Sequence, residues 1–114
     1  MLHIAICDDE KSETAYLKRV AEDWAGKEDI RINIETYVSA ESFLFQYEEC
    51  KNYQILLLDV EMGGMTGIDL AKKIRQNQDN AEIIFITSHF EFFGEGYEVD
   101  ALHYLVKPVK ADKM

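Results

Sequence analysis

Five polar residues of this 114-residue chain stand at the ends of short apolar runs, and their types suit phosphoryl chemistry. Asp8 and Asp9 follow the first run directly, and Asp59, Thr87 and Lys107 stand at the ends of three others. Clustered carboxylates repel one another unless a cation lies between them, and Mg²⁺ prefers oxygen ligands of this kind. With the metal in place, one carboxylate could attack a phosphoryl group while the lysine and the hydroxyl stabilise its oxygens. The residue types therefore predict metal-assisted aspartyl phosphorylation, and they leave open which carboxylate is the acceptor.

Five strands are predicted to bring these residues together. The apolar runs that predict them cover Leu2 to Cys7, Ile30 to Tyr37, Gln54 to Val60, Ile83 to Ile86 and Leu102 to Val106. Near-continuous apolar strands are typical of parallel sheets that helices cover on both faces. Because the carboxyl ends of such strands lie along one edge of the sheet, we expect the five polar residues to meet there.

Apolar residues at helical spacing predict helices between these strands. We expect Asp9 to cap the first helix and Gly26 to end it, Ser39 to open the second helix, and Thr66 to cap the third. The segment from Phe90 to Val99 predicts a weaker fourth helix, because two glycines interrupt it. Only six residues follow the single proline. The pattern therefore predicts a doubly wound α/β domain with a truncated fifth helix.

The composition limits the classes of partner. Twelve basic and 22 acidic residues give a formal net charge of −10, which repels phosphate backbones and anionic lipid. We therefore expect no direct binding of this chain to nucleic acid or membranes. No run approaches 18 consecutive apolar residues, and the N-terminus lacks a signal pattern, so we expect a cytoplasmic protein. The two cysteines fit neither a disulfide framework nor a four-ligand metal site and are expected to be buried apolar residues.

The motifs around the polar residues resemble the receiver domain of two-component response regulators, the family that includes the chemotaxis protein CheY. The resemblance covers essentially the whole chain. Its motifs are Ile-Cys-Asp-Asp-Glu after the first strand, Leu-Leu-Asp-Val-Glu-Met-Gly-Gly-Met-Thr-Gly after the third, Ile-Thr-Ser after the fourth and Val-Lys-Pro-Val after the fifth. This resemblance implies a flavodoxin-like (βα)5 fold with strand order 2-1-3-4-5, in which residues 1–114 form a receiver domain and the output domain lies outside this chain.

The resemblance also implies an acceptor and a set of metal ligands. It makes Asp59 both the phosphoacceptor and a Mg²⁺ ligand, Asp9 a direct Mg²⁺ ligand and Asp8 a ligand that acts through water. The backbone carbonyl of Glu61 would provide a further ligand to the metal.

The same resemblance implies a switch and its partners. Thr87 would be the switch hydroxyl, Lys107 the lysine that contacts the phosphoryl group, and Tyr104 the switch aromatic residue. Pro108 would follow a cis peptide bond. A sensor histidine kinase would donate the phosphoryl group. Residues 90–109 look most like receivers attached to LytTR-type DNA-binding domains, which implies transcriptional regulation. Where a homodimer forms, we expect it to use the face of helix 4, strand 5 and helix 5.

Two other functions use part of this residue set. A phosphatase of the haloacid-dehalogenase type also has an aspartyl nucleophile and Mg²⁺, but its nucleophile follows the first strand in an Asp-x-Asp motif. A flavodoxin-like ligand-binding module needs a loop rich in glycine and hydroxyl groups after the first strand, where this chain has Asp-Asp-Glu. We therefore expect a phosphorylated signalling switch rather than an enzyme.

Overall fold

Five parallel strands and three helices make up the part of the chain that the computed structural model describes, which is residues 2–47, 53–77, 81–87, 101 and 103–107. In chain order the elements are β1 (Leu2–Cys7), α1 (Lys11–Lys27), β2 (Ile32–Tyr37), α2 (Ala40–Tyr47), β3 (Ile55–Leu58), α3 (Gly67–Gln76), β4 (Glu82–Thr87) and β5 (His103–Val106). All neighbouring strands are parallel, in the order β2-β1-β3-β4-β5. The predicted doubly wound α/β architecture and its strand order are confirmed.

Each face of the sheet has its own apolar cluster. On one face Phe85 of β4 belongs to a buried cluster with Phe43 of α2 and Ile74 of α3. On the other face Ile6 of β1 belongs to a second cluster with Leu17 of α1. Full burial of one such side chain contributes about 1.5–3 kcal/mol to folding. The central strands β1 and β3 are apolar in nearly every position because helices cover the sheet on both sides.

The two ends of α1 differ from the prediction. The N-cap residue is Glu10 and not Asp9: the Glu10 carbonyl accepts two first-turn N–H groups at 3.0 and 3.1 Å, without a side-chain cap. Asp9 precedes the cap, and one of its carboxylate oxygens lies within 4.8 Å of those of Asp8 and Glu10. The helix also continues past Gly26, and the chain turns away at Asp29, whose φ of 54° lies in the left-handed region.

The other two predicted helix starts are confirmed. The Ser39 hydroxyl accepts the N–H of Ser42 at 3.0 Å, and the Thr66 hydroxyl accepts the N–H of Asp69 at 3.1 Å. A side-chain cap of this kind contributes about 1 kcal/mol to helix stability. The second and third strands are shorter than predicted, and Ile30 lies outside β2 with 40% of its surface exposed.

Several predictions concern residues outside the described part of the chain, namely the fourth helix over Phe90 to Val99, the truncated fifth helix, Cys50 and the peptide bond before Pro108.

Cys7 is fully buried as predicted, and burial together with the charge of Asp8 raises the pKa of its thiol. Within the described ranges, no helix has both the length and the apolar character needed to cross a membrane.

Gly67, the first residue of α3, lies against the backbone at the end of β3. Its N–H donates to the carbonyl of Val60 at 2.8 Å. A Cβ atom at this position would lie well inside van der Waals contact with the backbone oxygen of Asp59. The start of α3 and the residue after β3 can therefore approach this closely only because position 67 has no side chain.

We expect Gly67→Ala to lower the free energy of unfolding by about 1–3 kcal/mol, because the methyl group must push α3 away from Asp59. Gly26→Ala is the matched control, since a Cβ at Gly26 in α1 meets nothing within 4 Å. This control should raise the free energy of unfolding by about 0.5 kcal/mol. Urea unfolding of the two variants measures both changes, and a Gly67→Ala protein as stable as wild type would contradict the close approach.

Candidate functional site

The carboxyl ends of four strands place the predicted polar residues side by side. Asp8 follows β1, Asp59 follows β3, Thr87 ends β4 and Lys107 follows β5. Backbone hydrogen bonds continue the ladder beyond the strands: the Asp59 N–H donates to the Cys7 carbonyl at 2.9 Å, and the Lys107 N–H donates to the Thr87 carbonyl at 2.8 Å. The sheet itself therefore fixes where these residues leave it.

Lys107 bridges two carboxylates that come from different strands. Its Nζ donates to Oδ2 of Asp8 at 2.8 Å and lies 3.5 Å from Oδ2 of Asp59. The side chains of Lys107, Asp8 and Asp59 are only 10%, 2% and 6% exposed. Burial alone would lower the pKa of Lys107, but the hydrogen bond to Asp8 and the attraction of both carboxylates outweigh it and raise the pKa. The ammonium group therefore stays charged at neutral pH.

The environment of Asp59 disfavours the charged form of its carboxyl group. Burial, together with repulsion by Asp8, raises the pKa of Asp59, although the Lys107 charge and hydrogen bonds from Thr87 and the Val60 backbone act in the opposite direction. Its Oδ1 atom is buried and has no hydrogen-bond partner among the described residues. An unpaired buried carboxylate oxygen is costly, so this atom is suited to contact a cation or an electrophile.

Asp9 and Glu10 add two exposed carboxylates to the same edge. Asp8, Asp9 and Glu10 each place a carboxylate oxygen within 4.8 Å of the others. Oε1 of Glu10 lies 3.9 Å from Nζ of Lys107, and the Glu10 N–H donates to Oδ1 of Asp8 at 2.9 Å. The sequence analysis did not include Glu10 among the site residues, although it is the third acidic residue of the Asp-Asp-Glu motif.

This donor set fits a hard divalent cation. Mg²⁺ binds carboxylate oxygens and water, and it usually takes one or two carboxylates from the protein. Asp8 and Asp9 belong to the acidic group after β1, and Lys107 links that group to Asp59. Within the described ranges, Lys107 is the ammonium group that contacts these carboxylates, and its single charge leaves an excess of negative charge among them.

The remaining predicted residues lie around this centre. Thr87 is fully buried at the end of β4. Glu61 is exposed, two residues beyond Asp59 in the segment between β3 and α3. Tyr104 is half-buried on β5, and the centroid of its ring lies 5.8 Å from that of Phe85. The structure thus brings Asp8, Asp59 and Lys107 into direct contact, while the ligand role of Glu61 and the switch role of Tyr104 remain predictions.

We expect Asp59→Asn to stabilise the metal-free protein at neutral pH. The pKa of Asp59 is raised in the folded state, so its ionisation costs folding free energy. This cost is absent below the ordinary carboxyl pKa of about 3.9 and complete above the raised value. The variant should therefore be more stable than wild type at neutral pH and should unfold at a higher temperature.

The gain should disappear as the pH falls towards about 4, where the wild-type carboxyl also becomes neutral. Thermal unfolding in the presence of a chelator measures both ends of this range. Asp23→Asn, at an exposed position of α1, is the control for removal of one negative charge. If the stability gain of Asp59→Asn instead grew with falling pH, the charge of Asp59 would not destabilise the folded state.

The family model for the response regulator receiver domain matches residues 4–114. Among curated proteins, the sensory transduction protein LytT of Bacillus subtilis is 32% identical over 117 residues, which cover 100% of this chain and 45% of that protein. LytT of Oceanobacillus iheyensis is 32% identical over 117 residues, with coverage of 98% and 44%. The chain therefore spans less than half the length of these two relatives.

Solved structures show the same fold. The response regulator TrrA of Thermotoga maritima, in complex with Mg(2+)-BeF, has a TM-score of 0.84 at 27% identity, over 99% of this chain and 92% of that one. The chemotaxis protein CheY4 of Vibrio cholerae has a TM-score of 0.82 at 23% identity, over 98% and 91%. The family match spans nearly the whole chain, and the buried Asp8–Lys107–Asp59 contact lies at the sheet edge where the motifs predicted it. The chain therefore belongs to the response regulator receiver domain family of two-component signalling, and its curated relatives include LytT and LytR proteins.

Proposed function

We propose that this domain accepts a phosphoryl group on Asp59 from a sensor histidine kinase, in a reaction that requires Mg²⁺. The resulting change of conformation would control an output domain attached to the receiver. The observation that supports this function best is the buried Lys107, which contacts Asp8 and Asp59 together at 2.8 and 3.5 Å. A charged lysine between two buried carboxylates can move its contacts to the oxygens of an incoming phosphoryl group.

The environments of the two buried carboxylates support Asp59 as the acceptor. Both oxygens of Asp8 are engaged, Oδ1 by the backbone N–H of Glu10 and Oδ2 by Lys107. Oδ1 of Asp59 has no hydrogen-bond partner within the described ranges. A carboxylate with an unengaged oxygen is the better nucleophile, because no hydrogen bond must break before it attacks. In the transfer, this oxygen would form a bond to phosphorus while the bond between phosphorus and the kinase histidine nitrogen breaks.

We assign the Mg²⁺ ligands to Asp9 directly, to Asp8 through water, to Asp59, and to the backbone carbonyl of Glu61. The metal would offset negative charge on the phosphoryl oxygens. The acidic group after β1 supports the part of this assignment that concerns Asp8 and Asp9. It is also supported by the similar TrrA domain, whose structure was solved with Mg(2+)-BeF.

Thr87 and Tyr104 are the proposed switch. The hydroxyl of Thr87 contributes a hydrogen bond to Asp59, so a phosphoryl group there would offer it a new acceptor. Thr87 pairs with Val106 across the ladder from β4 to β5, and Tyr104 lies two residues earlier on β5. If Thr87 moved, the movement would therefore take place beside β5, the strand that carries Tyr104. Phosphorylation would act by changing the populations of two conformations.

The length of the relatives supports an output domain outside the part that this chain matches. LytT proteins are more than twice as long as the part that this chain matches. We infer that the whole protein is a cytoplasmic transcription regulator. A LytTR-type output domain would bind the DNA, because a receiver with a net charge of −10 would repel it. A homodimer would use the face that includes β5. The domain would act as a regulator and not as a classical enzyme, because the phosphoryl group ends on its own side chain.

Intact-protein mass spectrometry after incubation with acetyl phosphate tests this function. We expect a single phosphoryl adduct on the wild-type protein in the presence of Mg²⁺ and none when a chelator replaces it. Asp59→Asn should remain unmodified, while the control Asp23→Asn should be modified like wild type. An adduct on Asp59→Asn would mean that another side chain is the acceptor. A folded wild-type protein without any adduct would argue against phosphorylation by small donors as well as against the proposed metal site.

A further inference from the structure

We propose that Glu41 of α2 is a positioning residue for this site, because its carboxylate holds the acceptor loop, residues 61–66, in a shape suited to metal binding. The proposal rests on the function proposed above and adds to it a residue from a different element of the fold. Glu41 lies 24 residues before its partner in the loop, and neither the motifs nor the sheet register places it near Asp59.

The contact joins a charged side chain to the backbone of the loop. Oε2 of Glu41 accepts the N–H of Met65 at 3.0 Å. Glu41 lies in the first turn of α2, where the positive end of the helix favours a carboxylate. Hydrogen bonds from the N–H groups of Met65 and of Glu41 itself lower the pKa of this side chain. The acceptor is therefore an ionised carboxylate at neutral pH, and a charged acceptor strengthens the hydrogen bond.

Of the two glycines of the loop, one provides a turn and the other lies beside this carboxylate. Gly63 has a φ of 77°, and a Cβ there would meet nothing within 4 Å, so this glycine provides a turn. Gly64 lies outside that left-handed region, but a Cβ on it would lie only 2.7 Å from Oε2 of Glu41. A side chain at position 64 would therefore displace the Glu41 carboxylate from its present position.

The contact holds the side of the loop that the sheet does not reach. At one end, Asp59 is fixed to β1 by its N–H; at the other, Gly67 is fixed to Val60. Glu61, whose carbonyl we assign to the metal, lies between these two points. With Met65 held by Glu41, the loop is already ordered before a cation binds. Without this contact, the loop would lose conformational entropy when the metal binds, and this loss would weaken metal binding.

The test compares Glu41→Ala, Glu41→Gln, Gly64→Ala and the double variant Glu41→Ala/Gly64→Ala. Glu22→Ala is the matched control, because it removes an exposed glutamate from α1. Nuclear magnetic resonance gives two readouts that do not depend on phosphorylation: the hydrogen-exchange rate of the Met65 amide, and the Mg²⁺ dissociation constant from amide shifts. Thermal unfolding measures any general loss of stability.

Glu41→Ala should raise the Mg²⁺ dissociation constant about fivefold, which corresponds to the loss of one net hydrogen bond. The Met65 amide should lose its protection, while Tm changes by only about 2 °C since the contact is exposed. Glu41→Gln should keep most of the affinity, because its amide oxygen can accept the same hydrogen bond. Gly64→Ala should reproduce the effect of Glu41→Ala by displacing the carboxylate, and the double variant should match either single variant.

Equal Mg²⁺ affinity in wild type and Glu41→Ala would overturn the proposal, and so would additive effects of the two single substitutions. These outcomes are distinct from a failure of the proposed function. Wild-type protein that binds Mg²⁺ but forms no adduct on Asp59 would refute the phosphoacceptor assignment and leave the Glu41 result standing. Wild-type protein that forms the adduct while Glu41→Ala binds Mg²⁺ unchanged would refute only the role of Glu41.

Discussion

The site depends on one buried ammonium group placed between two carboxylates. Removing charged groups from water is costly, and mutual attraction offsets this cost only when the geometry is close and hydrogen bonded. Lys107 meets this condition with Asp8 at 2.8 Å and less completely with Asp59 at 3.5 Å. Each partner comes from a different strand, so the contact forms only when β1, β3 and β5 are in register. The site is therefore assembled only when the sheet has folded.

This arrangement also gives two identical side chains different chemistry. Asp8 receives a backbone N–H and the ammonium group, so its charge is well compensated. Asp59 shares the same lysine at a longer distance, and its other oxygen is buried without a partner in the part of the chain described here. The two environments thus support the proposed division of roles, in which Asp8 holds the lysine and Asp59 accepts the phosphoryl group. The residue types alone left this choice open.

The fold was largely predictable because strand ends and polar residues coincide in the sequence. Apolar runs that stop at Asp8, Asp59, Thr87 and Lys107 predicted both the strands and the edge at which these residues meet. The strand order and the roles of Thr87 and Tyr104 came from the family resemblance and not from the pattern. The structure confirms the strand order, whereas those two roles remain predictions.

The errors and omissions have physical causes. Asp9 looked like a helix cap because caps and site carboxylates have the same residue type at the same place before a helix. In the structure the N-cap residue is instead Glu10, whose backbone carbonyl accepts the first hydrogen bonds of the helix. The Glu41–Met65 contact was missed for a different reason. It joins residues that only the packing of α2 beside the acceptor loop brings together, and local sequence patterns contain no signal for it.

The close approach of Gly67 to Asp59 divides the domain into a stiff side and a compliant side. On the stiff side, the backbone oxygen of Asp59 lies directly against the first residue of α3, and no gap remains to be closed. A displacement of Asp59 in that direction would have to move the whole helix together with its buried side chains. On the other side, the side chain of Asp59 contacts those of Thr87 and Lys107, and such side-chain contacts can change without movement of the backbone. If Asp59 is phosphorylated as proposed, the domain would therefore accommodate the change more readily towards β4 and β5 than towards α3, because position 67 has no side chain.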